Sequence, residues 1–223
     1  MRTNFEAAYF ERQVAKSDAK IAWQYGRMLR FASVRLPLGA PVLDLGCGAA
    51  PGLRYLQARG LVAVGADVSG AALAAARAVL PGARLVRCDV EGALPFGAGR
   101  FALVVMSEVV EHVAALGPLL RECRRVLRPG GALVLTTPNL WDVRRAVGAL
   151  GGPTWSGHRD PTHVNLQTPR TLRRHLQAAG FAGVRVRAGW KPLARAGGRR
   201  LPVRVEVPYP PLVGNGLLAC GRA

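Results

Sequence analysis

The chain has 223 residues, half of them apolar, with a formal net charge of +18 and four scattered cysteines. That length suits one domain of roughly 100–200 residues with extra segments, able to bury a core without disulfide or metal support. No apolar run approaches the roughly 20 residues of a membrane span, and residues 1–20 contain Glu6, Glu11 and Asp18 but no apolar core of a signal peptide. With no Cys-x-x-Cys pair, free thiols and a cytoplasmic location are expected.

Residues 5–35 read as helical, with no proline, one glycine and recurring apolar positions, before Pro37 and Pro41 break the chain. Strand and helix then alternate. Strands are expected at 42–45, 61–66, 84–88, 101–107, 132–137, 184–187 and 217–220. Helices are expected at 51–59, 70–80, 118–127 and 169–179. Pro51 suits a first turn, while Ser69 and Thr168 suit N-caps. Short continuous apolar strands imply helices on both sheet faces, so the chain reads as a doubly wound α/β fold with a seven-stranded, mostly parallel sheet. Residues 1–40 read as an N-terminal helical lid and 41–223 as one domain. Segments 139–167 and 190–214, rich in Pro and Gly and containing Trp141, Trp155 and Trp190, read as lid insertions.

In such folds ligands lie at the carboxyl ends of strands. The first strand ends at Asp44-Leu45-Gly46-Cys47-Gly48. Two glycines let the backbone turn sharply and approach a ligand, and Asp44 disfavours a pyrophosphate while suiting an amine. The second strand ends at Asp67, 21 residues past Gly46. An acid at that offset is placed to accept both hydroxyls of a ribose, although it could also serve the helix start beside Ser69. Asp89, ending the third strand, could accept from an exocyclic amine or simply close a turn.

Together, VLDLGCG (42–48), GADVS (65–69), FALVVMSEVVEHV (101–113) and LRPGGALVLTTPN (127–139) resemble the class I S-adenosylmethionine-dependent methyltransferases, in particular the type-11 and ubiquinone O-methyltransferase-like group. The likeness runs over residues 40–187. It implies a Rossmann-like methyltransferase fold and a cofactor set of Asp44, Gly46, Cys47, Gly48, Asp67, Val68, Asp89, Val90 and Ser107. Asp44 would lie near the methionine amino group, Asp67 on the ribose, Asp89 and Val90 around the adenine, and Ser107 on the sulfonium side. Two positions depart from the family: Ala50 replaces the third glycine of the Asp-x-Gly-x-Gly-x-Gly pattern, and Ala102 replaces the acid that usually opens the fourth strand.

On the acceptor side, Glu108 precedes Glu111 and His112 at helical spacings of three and four. His112 is the candidate general base, with Glu111 beside it. Two carboxylates and an imidazole also suit a divalent ion such as magnesium. Relatives with a Glu-x-x-Glu-His pattern imply a metal on Glu108, Glu111, His112 and a later histidine, here His163 with His158 nearby. The resulting expectation is methyl transfer to a small-molecule acceptor, at a hydroxyl oxygen; the alternative is an RNA ribose 2′-O-methyltransferase using a Glu-Glu-His-His metal site. Charge bears on that choice. Residues 1–142 hold 17 Lys and Arg against 11 acids, whereas 143–223 hold 14 against two. Either arginine-rich composition or an anionic partner explains the skew. Five of the 13 acids (Asp44, Asp67, Asp89, Glu108 and Glu111) fall at proposed site positions. The sequence therefore describes an acidic cleft in an arginine-rich shell, with the acceptor's identity and the oligomeric state open.

Overall fold

The computed structural model describes residues 18–142, 160–189, 195–196, 199–200, 206–208, 214 and 216–223. Residues 5–17 of the expected first helix, most of the two expected insertions, and Trp155, His158 and Trp190 lie outside them.

Helix α1 (Asp18–Ala32) precedes β1 (Pro41–Leu45), α2 (Pro51–Gln57), β2 (Val62–Asp67), α3 (Gly70–Val79), β3 (Arg84–Arg87) and β4 (Phe101–Ser107). A short 3₁₀ turn (Val110–His112) leads to α4 (Leu116–Val126), β5 (Leu127–Pro138), α5 (Pro169–Ala178) and β6 (Ala182–Gly189). The short strands β7 (Arg195–Ala196), β8 (Arg199–Arg200) and β9 (Glu206–Pro208) precede β10 (Gly216–Arg222). The main sheet has the order β3-β2-β1-β4-β5-β10-β6-β9. All seven expected strands are present, and three-residue β9 adds an eighth at the edge. Strands β1 to β5 run parallel, while β10 is antiparallel to both β5 and β6. This is the mostly parallel, doubly wound sheet expected.

Alternation along the strands divides the core in two. Leu43 and Leu45 of β1, Val104 and Met106 of β4, and Leu133 and Leu135 of β5 face α4 and α5, which contribute Leu119, Leu120, Cys123, Leu172 and Leu176. Val42, Leu103, Val105 and Val134 face the opposite way, against Ile21, Tyr25, Met28 and Phe31 of α1 and Leu53 and Leu56 of α2. Helix α1 is thus a layer of the sandwich. Its C-terminal carbonyls are satisfied by arginines from the last strands. Arg185 donates to Phe31 O and Arg222 to Ala32 O at 3.2 Å, which also sets positive charge at the negative end of the helix dipole.

Helix ends follow local chemistry. Ser69 accepts from Ala72 N at 3.2 Å. Thr168 and Thr171 form a reciprocal capping box at the start of α5. One boundary departs from expectation: β5 begins at Leu127, five residues early, with a pairing irregularity between Phe101 and Leu103 of β4 that accommodates the Pro129-Gly130-Gly131 turn. All four cysteines are free thiols. None of the described helices is long and apolar enough to cross a membrane.

Candidate active site

Strand order reverses between β2-β1 and β4-β5, so the carboxyl ends of β1 and β4 flank a switch point, where doubly wound sheets bind ligands. The loop after β1 is anchored there. Gly46 N and Cys47 N both donate to Ala66 O, at 2.7 and 3.1 Å. Gly46 and Gly48 have φ of 76° and 54°, a region that admits glycine freely, and a Cβ on Gly46 would overlap Val109. Ala50 takes the same left-handed conformation, φ 61°, with its methyl group buried. The missing third glycine therefore leaves the loop path intact.

Asp67 ties the first two strand ends together. Its Oδ2 accepts from Gly48 N at 2.8 Å and its Oδ1 from Ser69 N at 2.9 Å. Burial raises its pKa, and these amide contacts oppose the rise. A carboxylate has about four lone-pair sites, so both oxygens retain capacity for a ligand. Asp89 is exposed and accepts from Glu91 N at 2.9 Å, forming a turn just beyond β3. Val68 is exposed and Val90 half-buried. Burial pushes the Cys47 thiol far above its ordinary range, so it is inert packing.

Two residues of α1 reach these strand ends, and no motif marks them. Tyr25 Oη donates to Asp44, 3.1 Å from each carboxylate oxygen, and Gln24 Nε2 donates to Ser107 Oγ at 2.6 Å. Asp44 is fully buried. Burial pushes its pKa up to about 7; the Tyr25 hydrogen bond lowers it, and the Asp67 charge raises it.

A second cluster lies beyond β4. The expected helical turn from Glu108 does not form: Glu108 has φ 57° and is exposed, and only Val110–His112 coil into a 3₁₀ turn. Glu108 thus acts on Glu111 only as a nearby charge. In contrast, ligand atoms of Glu111, His112 and His163 lie within 4.8 Å of one another. The 160–168 segment is fastened across the turn by Asn165, whose N donates to Glu111 O at 3.0 Å and whose Nδ2 donates to Val113 O at 2.8 Å.

Glu111 is buried. Its Oε2 accepts from Thr137 Oγ1 at 2.9 Å, while its Oε1 has no hydrogen-bond partner among the described residues. Burial, and then the Glu108 charge, push its pKa well above the usual carboxylate range. An orphaned buried oxygen is costly, so this atom calls for a proton, a donor or a cation. His112 Nδ1 lies 3.2 Å from Thr162 O and 2.8 Å from Thr162 Oγ1, and that hydroxyl donates onward to Asp160. A carbonyl can only accept, so Nδ1 carries the proton and Nε2 the lone pair. Burial, reinforced by His163, lowers the His112 pKa. Glu111, His112 and His163 fit a divalent ion by donor type: one carboxylate oxygen without a partner and two imidazoles. Thr162, Asp160, Thr137 and Asn165 carry no signature of their own in the sequence; each is a polar residue recruited by tertiary contact.

A doubly wound α/β sandwich with a glycine turn after β1 and acids at or near three adjacent strand ends is an architecture that binds ligands at the carboxyl ends of its strands. Residues 18–186 match a family model described as a methyltransferase domain. The chain is 32% identical over 149 residues to malonyl-[acyl-carrier protein] O-methyltransferase of Enterobacter lignolyticus, covering 66% of this chain and 54% of that protein. Over 168 residues it is 29% identical to a ubiquinone biosynthesis O-methyltransferase of Chelativorans, covering 72% and 65%. It thus spans between just over half and about two thirds of these curated relatives. A crystal structure of a SAM-dependent methyltransferase from Archaeoglobus fulgidus superposes with a TM-score of 0.69 at 20% identity, over 96% of this chain and 98% of that one. The chain belongs to the methyltransferase-domain family of class I S-adenosylmethionine-dependent methyltransferases.

Proposed function

We propose that this enzyme methylates a hydroxyl oxygen of a small molecule, with His112 as general base. The observation that carries this reading is the fixed tautomer of His112, whose unprotonated Nε2 lies in the same cluster as the unpartnered Glu111 oxygen. Bound S-adenosylmethionine supplies an activated methyl group on a sulfonium, so alignment matters more than covalent assistance. When bound, the cofactor would be held by Asp67 at the ribose hydroxyls, by Asp89 and Val90 around the adenine, by Asp44, Gly46, Cys47 and Gly48 along the methionine portion, with Asp44 near its amino group, and by Ser107 on the sulfonium side. The acceptor's hydroxyl would donate toward His112 Nε2 and pass its proton there as the oxygen–methyl bond forms and the sulfonium–methyl bond breaks, leaving S-adenosylhomocysteine. Two relatives named as O-methyltransferases support oxygen as the target.

A second reading is favoured by the closeness of the Glu111, His112 and His163 ligand atoms: a divalent ion held there would lower the hydroxyl's pKa and orient it. The RNA 2′-hydroxyl alternative would use the same three residues, without Glu108. RNA retention at low salt is a weak test for a chain of net +18, so methyl incorporation into RNA is the discriminating measurement.

The test of the base is kinetic. His112→Ala should lower kcat by about 10²–10⁴-fold with S-adenosylhomocysteine affinity unchanged. Because the His112 pKa is lowered, the wild-type rate should climb as pH rises through a value below the ordinary 6.5, and the variant should lose that limb. A variant that keeps both rate and limb would reject His112 as the base. Loss of activity on chelation, restored by magnesium, would favour the ion.

A further inference from the structure

Gln24 and Tyr25, neighbours on α1, contact the ends of two different strands, β4 and β1. The Tyr25 ring is 5% exposed and lies directly over Gly52 in the first turn of α2. A Cβ at residue 52 would overlap the ring carbons and the hydroxyl. The helix start is therefore shaped to the ring, and the ring is aimed at Asp44.

Asp44 is a carboxylate in an unusual position. It lies inside the sandwich, on the α1 side of β1, opposite Gly65 of β2 and Val105 of β4 in the sheet register. Among the described residues, the titratable groups bearing on it are Tyr25 from α1, Cys47 from the loop after β1 and Asp67 from β2. Cys47 is held neutral by burial, and Asp67 repels a second negative charge. Among these groups, only Tyr25 favours the charged carboxylate. Its own pKa is raised by burial and then by Asp44, so the phenol remains a donor. After accepting Tyr25 Oη, the carboxylate still has lone pairs for a second donor.

We propose that Tyr25 is a positioning residue of the cofactor site: its hydroxyl keeps the buried Asp44 carboxylate charged and aimed for the cofactor's ammonium group, and Gly52 leaves the space its ring fills. The inference rests on the reading of Asp44 as the partner of that amino group. It makes α1 part of the cofactor site and predicts a pH signature. Without the phenol, Asp44 takes up a proton more readily, so binding should fall at neutral pH and return in alkali.

The experiment is calorimetric titration of S-adenosylhomocysteine into wild type, Tyr25→Phe and Gly52→Ala from pH 6 to 8.5. Urea midpoints serve as a check that each variant folds. The measured quantity is the ratio of variant to wild-type Kd, in which titration of the ligand's own amine cancels. For a rise of about one pH unit in the Asp44 midpoint, Tyr25→Phe should bind about fivefold more weakly at pH 7 and within about twofold of wild type at pH 8.5. Gly52→Ala, which displaces the ring without removing it, should show the same pH-dependent ratio. A ratio constant across the pH range would reduce Tyr25 to a packing residue and overturn the proposal. Tighter binding by Tyr25→Phe would also overturn it, because the phenol would then be competing with the ligand. Failure of wild type to bind at any pH would overturn the cofactor assignment and this inference together.

Discussion

Single residues in this site carry conformations and charges that stability alone would not select. Glu108 is an exposed, non-glycine residue at φ 57°, and it adds negative charge beside an already buried Glu111. The left-handed conformation costs an L-residue roughly 1–2 kcal/mol, and glycine loses about 0.5–1 kcal/mol in chain entropy. Glu108→Gly should therefore stabilise the protein by about 0.5–1 kcal/mol in urea unfolding. An accompanying loss of turnover would mark the strain as serving the acceptor site. If the variant is less stable than wild type, the conformation is not strained. Ala50 shares the left-handed backbone, but its methyl group is buried in the core. Relief of strain there is offset by lost packing, so no gain is expected from glycine.

At the scale of elements, the proposed acceptor side depends on how α5 is started. Thr168 caps α5 with a reciprocal Thr171 contact, and Gln167 bridges to Asn139 at the end of β5. Leu140 N also donates to Gln167 O at 2.8 Å. The 160–168 segment that brings His163 to His112 is thus held at its far end by the cap. Thr168→Ala should lower unfolding free energy by about 1 kcal/mol. It should also weaken acceptor KM more than S-adenosylhomocysteine affinity, because the cofactor loops belong to other elements. Equal losses in both would show that the cap supports the whole sheet edge rather than the acceptor side.

For the whole molecule, the charge is divided by location. The acids of the proposed site lie at strand ends or in the loops just beyond them, while several arginines of the basic C-terminal third have structural duties. Arg173 donates to Val184 O at 2.7 Å, and Arg185 and Arg187 lie over the Phe31 ring at 5.0 and 5.6 Å. The proposed cofactor groove draws on α1, β1, β2, β3 and β4, so its ligand should stabilise the molecule as a unit. S-adenosylhomocysteine at 100 times its Kd should raise the unfolding free energy by about 2.7 kcal/mol. Urea titrations with and without ligand test this; an unchanged midpoint would mean that the groove does not bind it.

The strands themselves, the two glycine turns and the three strand-end acids are legible in the amino-acid sequence. They depend on local rules: apolar runs for strands buried on both faces, glycine where φ is positive, and caps where helices begin. The departure at Ala50 is legible as a substitution, but not as a harmless one, because only the backbone angle shows that alanine keeps the turn. Placing Glu108 on one helical turn with Glu111 and His112 fails for a similar reason. The spacing fits a helix, yet β4 continues through Ser107 and its pairing with β5 delays the turn to Val110.

Contacts between distant segments are decided by the fold alone. Tyr25 reaches Asp44 because α1 packs on the side of β1 that Asp44 faces. Thr162 sets the His112 tautomer from 50 residues away, and Glu111 keeps one oxygen unpaired because the core closes around it. Sequence by itself determined the sheet and where the carboxyl ends of its strands lie, since those follow from periodicity and turn chemistry along the chain. Only the tertiary structure decided which side chains meet at those ends, because the charge, tautomer and hydrogen-bonding capacity of a buried group are set by neighbours that packing brings from elsewhere.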